Sequence, residues 1–163
     1  MTDVLSSPCS SPEQAGRPVC RPVLDAAELA EHHRIRHEVF VREQRLFPGD
    51  DVDEHDSQGS TVHVLGLVDG CPSGTVRLYP VDDSGLWKGD RLAVLPGHRR
   101  SQLGRPLVRL AVALAGARGG TRMVASVQAP NRRFFVTLGW TPVGEPFDLL
   151  GQPHQQMTIP LAP

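Results

Sequence analysis

Apolar and polar positions along this chain alternate between two periods. Leu29, Ile35, Val39 and Phe40, with Arg36 among them, recur at three- and four-residue spacing, which aligns side chains on one face of a helix. Ahead of that stripe, Asp25-Ala-Ala-Glu28 has the form of an N-cap followed by an acidic third residue. A helix is therefore expected from there to about Gln44, ended by Phe47-Pro48-Gly49. Residues 61–68 and 74–81 are β-rich runs flanking Asp69-Gly70, the signature of a tight hairpin. A third strand is expected at 91–95, after the turn Asp82-Asp-Ser-Gly85.

The helical period returns at Leu103, Leu107, Leu110, Ala111, Leu114 and Ala115 and stops at Gly119-Gly120. Residues 123–127 read as a short buried strand, and 130–138 as a short helix with Pro130 at its first position. Gly139-Trp140 turns the chain into two final strands, roughly 141–147 and 157–161. With a first strand inside 17–24, the order is β-α-β-β-β-α-β-α-β-β. Without any tandem repeat, that order predicts one mixed α/β (α+β) fold.

Composition narrows the function. A chain of 163 residues with 39% hydrophobic content supports one core, expected over 18–163. Residues 1–17, rich in Ser, Pro and Gly in their second half, are expected to lie outside it as a disordered tail. The net charge of -1 provides no global field for nucleic acid or an anionic membrane. No apolar run approaches the roughly 20 residues of a membrane span, and no leader pattern opens the chain, so a cytoplasmic protein is expected. Cys9, Cys20 and Cys71 include no C-x-x-C pair and are expected to be reduced. The acidic run at 50–56 reads as a solvated loop.

The densest chemistry lies between Val94 and Val108, where a strand end, a basic loop rich in small residues and the start of the second helix follow one another. A helix start leaves its first N–H groups unpaired and converging, which suits a pyrophosphate. Pro106 has no N–H, so the expected donors are Arg100, Ser101, Gln102, Leu103, Gly104 and Arg105. Arg99, Arg100 and Arg105 add charged contacts.

This segment resembles the GCN5-related N-acetyltransferase (GNAT) superfamily, in which a strand ending Val-x-Pro leads into Arg/Gln-x-x-Gly-x-Gly/Ala and a helix. Arg99 matches the first motif position and Gly104 the last, while Gln102 stands where the middle glycine is usual. Downstream, Ala129-Pro-Asn131 and Phe134-Phe135-Val-Thr-Leu-Gly-Trp140 are similar to the family's segment ending Phe-Tyr-x-x-Leu-Gly-Phe. The likeness runs from about Pro18 to the end. It implies a GNAT fold with the strands at 91–95 and 123–127 splayed apart, and acetyl-coenzyme A as acyl donor. The pyrophosphate would lie on 99–105, and the pantetheine and thioester on the backbone of Leu92, Ala93 and Val94, flanked by Asn131, Phe134 and Phe135. Within the superfamily, Gly139-Trp140, Val143-Gly-Glu145 and Gly151-Gln-Pro-His154 resemble a bacterial subgroup named for nitrogen starvation and associated with a nitrilase-containing gene cluster.

The resemblance further implies direct transfer to the amine of a small-molecule or protein acceptor, and a homodimer formed through the terminal strands. The family's tyrosine acid is replaced here by Phe135. An amine that ionises near pH 10 needs a base before it attacks. Glu43, late in the first helix, is the expected base, with His154 and His63 as alternatives. A second resemblance, to acyl-homoserine-lactone synthases, rests on Arg36-x-x-x-Phe40, Asp53-Glu-His-Asp56 and Gly74-Thr-Val-Arg-Leu78, and implies that Arg36, Asp56 and Arg77 line the acceptor side. A non-catalytic module that binds acyl-coenzyme A is the reading from a different class. His33 and His37 have metal-ligand spacing on a helix, but no neighbouring carboxylate or cysteine completes a site, so no metal is expected.

Overall fold

The structure is a computed structural model that describes residues 17–163; all of the expected tail except Arg17 lies outside the described residues. Strands β1 (Pro18–Pro22), β2 (Val62–Val68), β3 (Cys71–Pro80), β4 (Leu86–Val94), β5 (Arg122–Gln128), β6 (Thr141–Leu149) and β7 (Gln152–Pro160) form one sheet. Its order is β1-β2-β3-β4-β5-β7-β6, antiparallel except where β4 meets β5. Helices α1 (Ala26–Arg36), α2 (Gly104–Ala117) and α3 (Arg132–Thr137) complete the predicted succession of elements. The hairpin between β2 and β3 turns at Asp69-Gly70, both at positive φ (52° and 78°), as the type I′ geometry requires.

Asp25 caps α1, accepting the Glu28 N–H at 2.8 Å. Glu28 reaches back one residue beyond the cap, to the Leu24 N–H at 3.0 Å. The single helix expected to Gln44 is corrected: after Arg36 the chain winds into a π-helix, His37–Glu43. Its signature is the Gln44 N–H bonded to the Val39 carbonyl, five residues back, at 2.9 Å. Val39 and Phe40 stay buried in this wider coil.

Alternation along β2 divides the core between two faces of the sheet. Val62, Val64 and Val68 join α2 residues Leu107, Val108 and Ala111 on one side; Leu65 joins Ile35, Val39 and Phe40 on the other. The paired glycines Gly66 and Gly74 open a notch on the α2 side. A Cβ on either would come within 2.9 Å and 2.8 Å, respectively, of the Leu103 side chain. Leu103, only 1% exposed, seats there and anchors the start of α2.

The acidic run at 50–56 is not a solvated loop. It is drawn onto three arginines from other elements. Arg36 bonds Asp51 and Asp56, each at 2.7 Å. Arg77 bonds Asp53 at 2.6 Å and Asp90 at 2.7 Å, and Arg91 reaches Asp51 at 3.0 Å. His63 donates from Nε2 to Asp56 at 3.0 Å. The side chains of Arg36 and Arg77 are fully enclosed, and removing one partner from such a buried pair typically costs about 3–5 kcal/mol.

Cys20 is a free, half-buried thiol, its pKa pushed up to about 11 by burial. Cys71 is disulfide-bonded, which corrects the expectation of a reduced thiol there. Among the described residues, no helix is long and apolar enough to cross a membrane.

Three histidines pack around the ion network. His32 is wholly buried, donates from Nε2 to the Val76 carbonyl at 3.3 Å, and has its pKa lowered to about 2 by burial, then by Arg36. Burial also lowers His33 and His63. A folded pKa below the unfolded value, near 6.5, means that the unfolded chain binds more protons in that window. Stability is therefore fully present above about pH 6.5 and is lost as the pH falls. Calorimetric scans should show the melting temperature declining from pH 7 to pH 5, with a flatter slope for His32→Gln. An identical slope in that variant would remove His32 as a source.

Candidate active site

β4 and β5 pair only at their beginnings, Leu86 with Arg122, Trp87 with Met123 and Lys88 with Val124. β5 remains bonded to β7 along its whole length, so past Lys88 it is β4 that departs. A bulge bends it: the β3–β4 register shifts between Thr75 and Arg77, and Arg91 adopts φ 53°. The Arg91 guanidinium is held by Asp51 and lies 4.6 Å from the centre of the Phe47 ring. The parted strands leave backbone groups available to a ligand with amides of its own.

Two cavities meet in this opening. The outer one, a cleft of about 850 Å³, has Leu92, Ala93 and Val94 on one side and Gln128, Asn131 and Phe134 on the other. Arg99, Gln102, Gly104 and Arg105 join the same lining. The fold thus gathers nine of the residues expected to hold a coenzyme A. Arg100 and Ser101 line neither this cleft nor the inner cavity, and the Ser101 hydroxyl donates to the His98 carbonyl. The Leu103 side chain belongs to the core, leaving only its backbone for a ligand, which its place in the apolar stripe already foretold.

A 3-10 turn, Pro96–Ser101, leads into Gln102 at φ 59°, ψ 28°. The residue that departs from the motif glycine therefore keeps the left-handed backbone a glycine would supply, at a strain of about 1–2 kcal/mol. The Leu107 N–H bonds the Leu103 carbonyl at 3.2 Å, so the preceding amides of Gly104 and Arg105 have no helical acceptor. They open on the cleft that both residues line.

Glu43 also lines the outer cleft. Its carboxylate accepts from both terminal nitrogens of Arg99, one at 2.9 Å, while Arg99 Nε donates to the Val94 carbonyl at 3.1 Å. The expected base and the expected phosphate ligand are thus paired with one another, and an incoming phosphate competes with Glu43 for Arg99.

The inner cavity, about 180 Å³, includes Gly89–Leu92 from β4 and Ala125–Gln128 from β5 in its wall. Phe40 and Leu46 reach it from the α1 side of the sheet, and Val108 and Ala111 from the α2 side, so it passes through the sheet where the strands part. Gln44, Leu92, Gln128 and Asn131 line both cavities, and Gln128 donates to Gln44 across their junction at 2.8 Å. Phe135 lines the inner cavity alone, edge-on to Trp140 at 5.3 Å. His154 lines it too; it is 5% exposed, with Nδ1 2.8 Å from the Gln152 carbonyl. A proton on Nδ1 satisfies that carbonyl and leaves the Nε2 lone pair free.

Residues 26–140 match the Acetyltransferase (GNAT) family. The chain belongs to that family. The uncharacterized Bacillus subtilis protein YyaT is 30% identical over 133 residues, covering 81% of this chain and 88% of YyaT. An acyl-CoA N-acyltransferase from Pseudomonas aeruginosa superposes with a TM-score of 0.75 at 28% identity, over 87% of this chain and 97% of its own. Escherichia coli ElaA, at 24% identity over the same shares, has a TM-score of 0.76 and shares the fold.

Other expected site residues of this GNAT chain lie elsewhere. Arg36, Asp56 and Arg77 line neither cavity; they are enclosed in the ion network, whose members Asp90 and Arg91 reach the inner wall instead. Tyr79 is buried and stacked on His55 at 3.9 Å, and burial raises its pKa. His37 faces the Gly49 carbonyl at 3.3 Å. His33 is gathered with Asp56 and His63, their ligand atoms within 4.8 Å, a carboxylate the sequence reading did not place there. Asp56 accepts from Arg36 and sits 3.0 Å from Arg77, and those two cations oppose a divalent ion.

Two outcomes follow from this geometry. Gln102→Val, which puts a β-branched side chain in the left-handed conformation, should lower stability by about 1–2 kcal/mol in urea titrations, whereas Gln102→Gly should not. Glu43→Gln should release Arg99 and tighten coenzyme A binding by several-fold in calorimetry. Weaker binding would show that Glu43 positions Arg99 for the ligand.

Proposed function

We propose that this GNAT protein is an acyl-coenzyme A-dependent N-acyltransferase, acetyl in the simplest case, acting by direct transfer to the amine of a small molecule. The observation that carries this reading is the meeting of two features in one cleft: the free backbone of β4 beyond its bulge, and the uncapped start of α2 beside Arg99 and Arg105. The amides of Gly104 and Arg105 and the two guanidiniums receive the pyrophosphate. Pantetheine amides complete the backbone of Leu92–Val94, which sets the thioester at the junction lined by Gln44, Leu92, Gln128 and Asn131.

There the amine nitrogen attacks the thioester carbonyl, and a backbone N–H of β4 stabilises the oxygen as it gains charge. The carbon–nitrogen bond forms, the carbon–sulfur bond breaks, and coenzyme A leaves as the thiolate. With Phe135 in place of a hydroxyl, that thiolate takes its proton from solvent. The proton lost by the amine passes to His154 Nε2, directly or through water. His154 replaces Glu43 as base in this reading, because Glu43 is held by Arg99 in the donor cleft while His154 lines the cavity beyond the thioester. The hairpin that carries His154 also carries the residues that resemble the nitrogen-starvation subgroup, and we assign the chain to that context on this likeness.

Calorimetric titration of acetyl-coenzyme A should give micromolar binding that the double variant Arg99→Ala, Gly104→Asp abolishes at an unaltered melting temperature. Thiol release over a panel of amines should follow, with kcat lowered about 10²–10⁴-fold in His154→Gln. Binding without turnover on any amine would favour a non-catalytic acyl-coenzyme A-binding module, and no binding would remove the proposal.

A further inference from the structure

We infer that the acceptor is an amine that also carries a carboxylate, a short ω-amino acid whose anionic end is held by Lys88. This deepens the reading above and rests on it, since it concerns the molecule that meets the thioester in the same site. The ionisable side chains in the wall of the inner cavity are Lys88, Asp90, Arg91 and His154. Asp90 and Arg91 are already engaged within the protein. Both oxygens of Asp90 accept from Arg77, at 2.8 Å and 2.7 Å, and Arg91 is held by Asp51 and Asp53. Lys88, the chain's single lysine, makes neither an ion pair nor a hydrogen bond among the described residues. Its half-buried ammonium is thus the uncompensated charge of this wall, and away from bulk water such a charge attracts an anion strongly.

The register of the sheet puts Lys88 on the same face as the proposed base. Lys88 stands opposite Val124, and His154 opposite Gln128. Side chains alternate along a strand, so Val124, Ser126 and Gln128 share one face of β5, while Met123, Ala125 and Val127 pack on the α2 side. Lys88, Ser126 and His154 therefore project together on the other side, away from α2. Ser126 lies level between the two ends, exposed and without a hydrogen bond among the described residues. Lys88 and Ser126 supply donors for a carboxylate, and His154 Nε2 accepts from the amine. Val124 and Gln128 are separated by about 13 Å along the strand. The lysine and histidine side chains take up part of that span, and the rest divides the acceptor's amine from its carboxylate. A single carbon between the two groups, as in an α-amino acid, is too short.

The test is thiol release from acetyl-coenzyme A with paired acceptors, γ-aminobutyrate against butylamine and ε-aminocaproate against hexylamine, with glycine as the short control. In each pair kcat/KM should favour the amino acid by about ten- to a hundredfold, as a hydrogen bond to a charged group implies, and glycine should be poor. Lys88→Met should abolish that preference through KM rather than kcat, whereas Lys88→Arg, which keeps the charge, should retain it. Lys88→Glu should turn the preference toward putrescine, a diamine. Wild-type turnover of plain amines as readily as amino acids would overturn this inference and leave the acyltransferase reading intact. A preference that survives in folded Lys88→Met would place the carboxylate elsewhere and also overturn it. Absence of turnover on every acceptor, with acetyl-coenzyme A still bound, would remove the acyltransferase reading itself, and this inference with it.

Discussion

The molecule depends on a parallel strand pair that cannot be completed. β5 spends its second edge on β7 over its full length, and β4 keeps β3, so the only adjustable contact in the middle of the sheet is the one between β4 and β5. Three residue pairs hold it, and the bulge at Arg91 then carries β4 away. Unpaired backbone within a sheet is tolerable only where water or a ligand completes it. The outer cleft, the inner cavity and their shared junction are consequences of that single departure.

What keeps the opening from collapsing is charge. Arg91 is fastened on its far side by Asp51 and Asp53, and those carboxylates are fixed in turn by Arg36 and Arg77. A chain of alternating charges thus links α1, the acidic loop, β3 and β4 into one wall. Arg77, bonded to Asp53 and Asp90 together, is its central node. Each cation has more than one anion, which offsets the desolvation of the fully enclosed pair Arg36 and Arg77.

The order of elements was readable where caps, turn residues and apolar runs coincide: Asp25 and Glu28 mark the start of α1, Asp69-Gly70 the β2–β3 turn, and the apolar stripe of α2 its buried face. The outer cleft was readable for a different reason: most of its expected ligands fall in one short stretch, Leu92 to Arg105, and the others, Asn131 and Phe134, sit in a second motif. The acidic loop was misread because its partners Arg36, Arg77 and Arg91 stand 15 to 40 positions away, and a run of like charges looks solvated when its counter-charges are distant. The π-helix at His37–Glu43 carries no compositional mark, since its residues would also suit an α-helix. The inner cavity escaped notice because it is assembled from separated segments, from Phe40 to His154, of which the stretch from Asn131 to Trp140 belongs to a recognised motif but does not by itself outline a cavity. Gln102 taught the reverse lesson, since a departure in residue identity left the backbone conformation unchanged.

The acidic loop also bears on a cavity that it does not line. Five of its seven residues, Asp50, Asp51, Asp53, Glu54 and Asp56, repel one another in an extended chain, and the segment has almost no apolar surface with which to collapse. Part of its shape is local, since Asp53 and Asp56 form a capping box around the 3-10 turn Glu54–Ser57, but its seat on the sheet comes from Arg36, Arg77 and Arg91, presented by α1, β3 and β4. Residues 50–56 line neither cavity, yet Asp51 and Asp53 hold Arg91, which does. A change in this loop therefore reaches the inner cavity through one guanidinium, without any contact between the loop and a ligand.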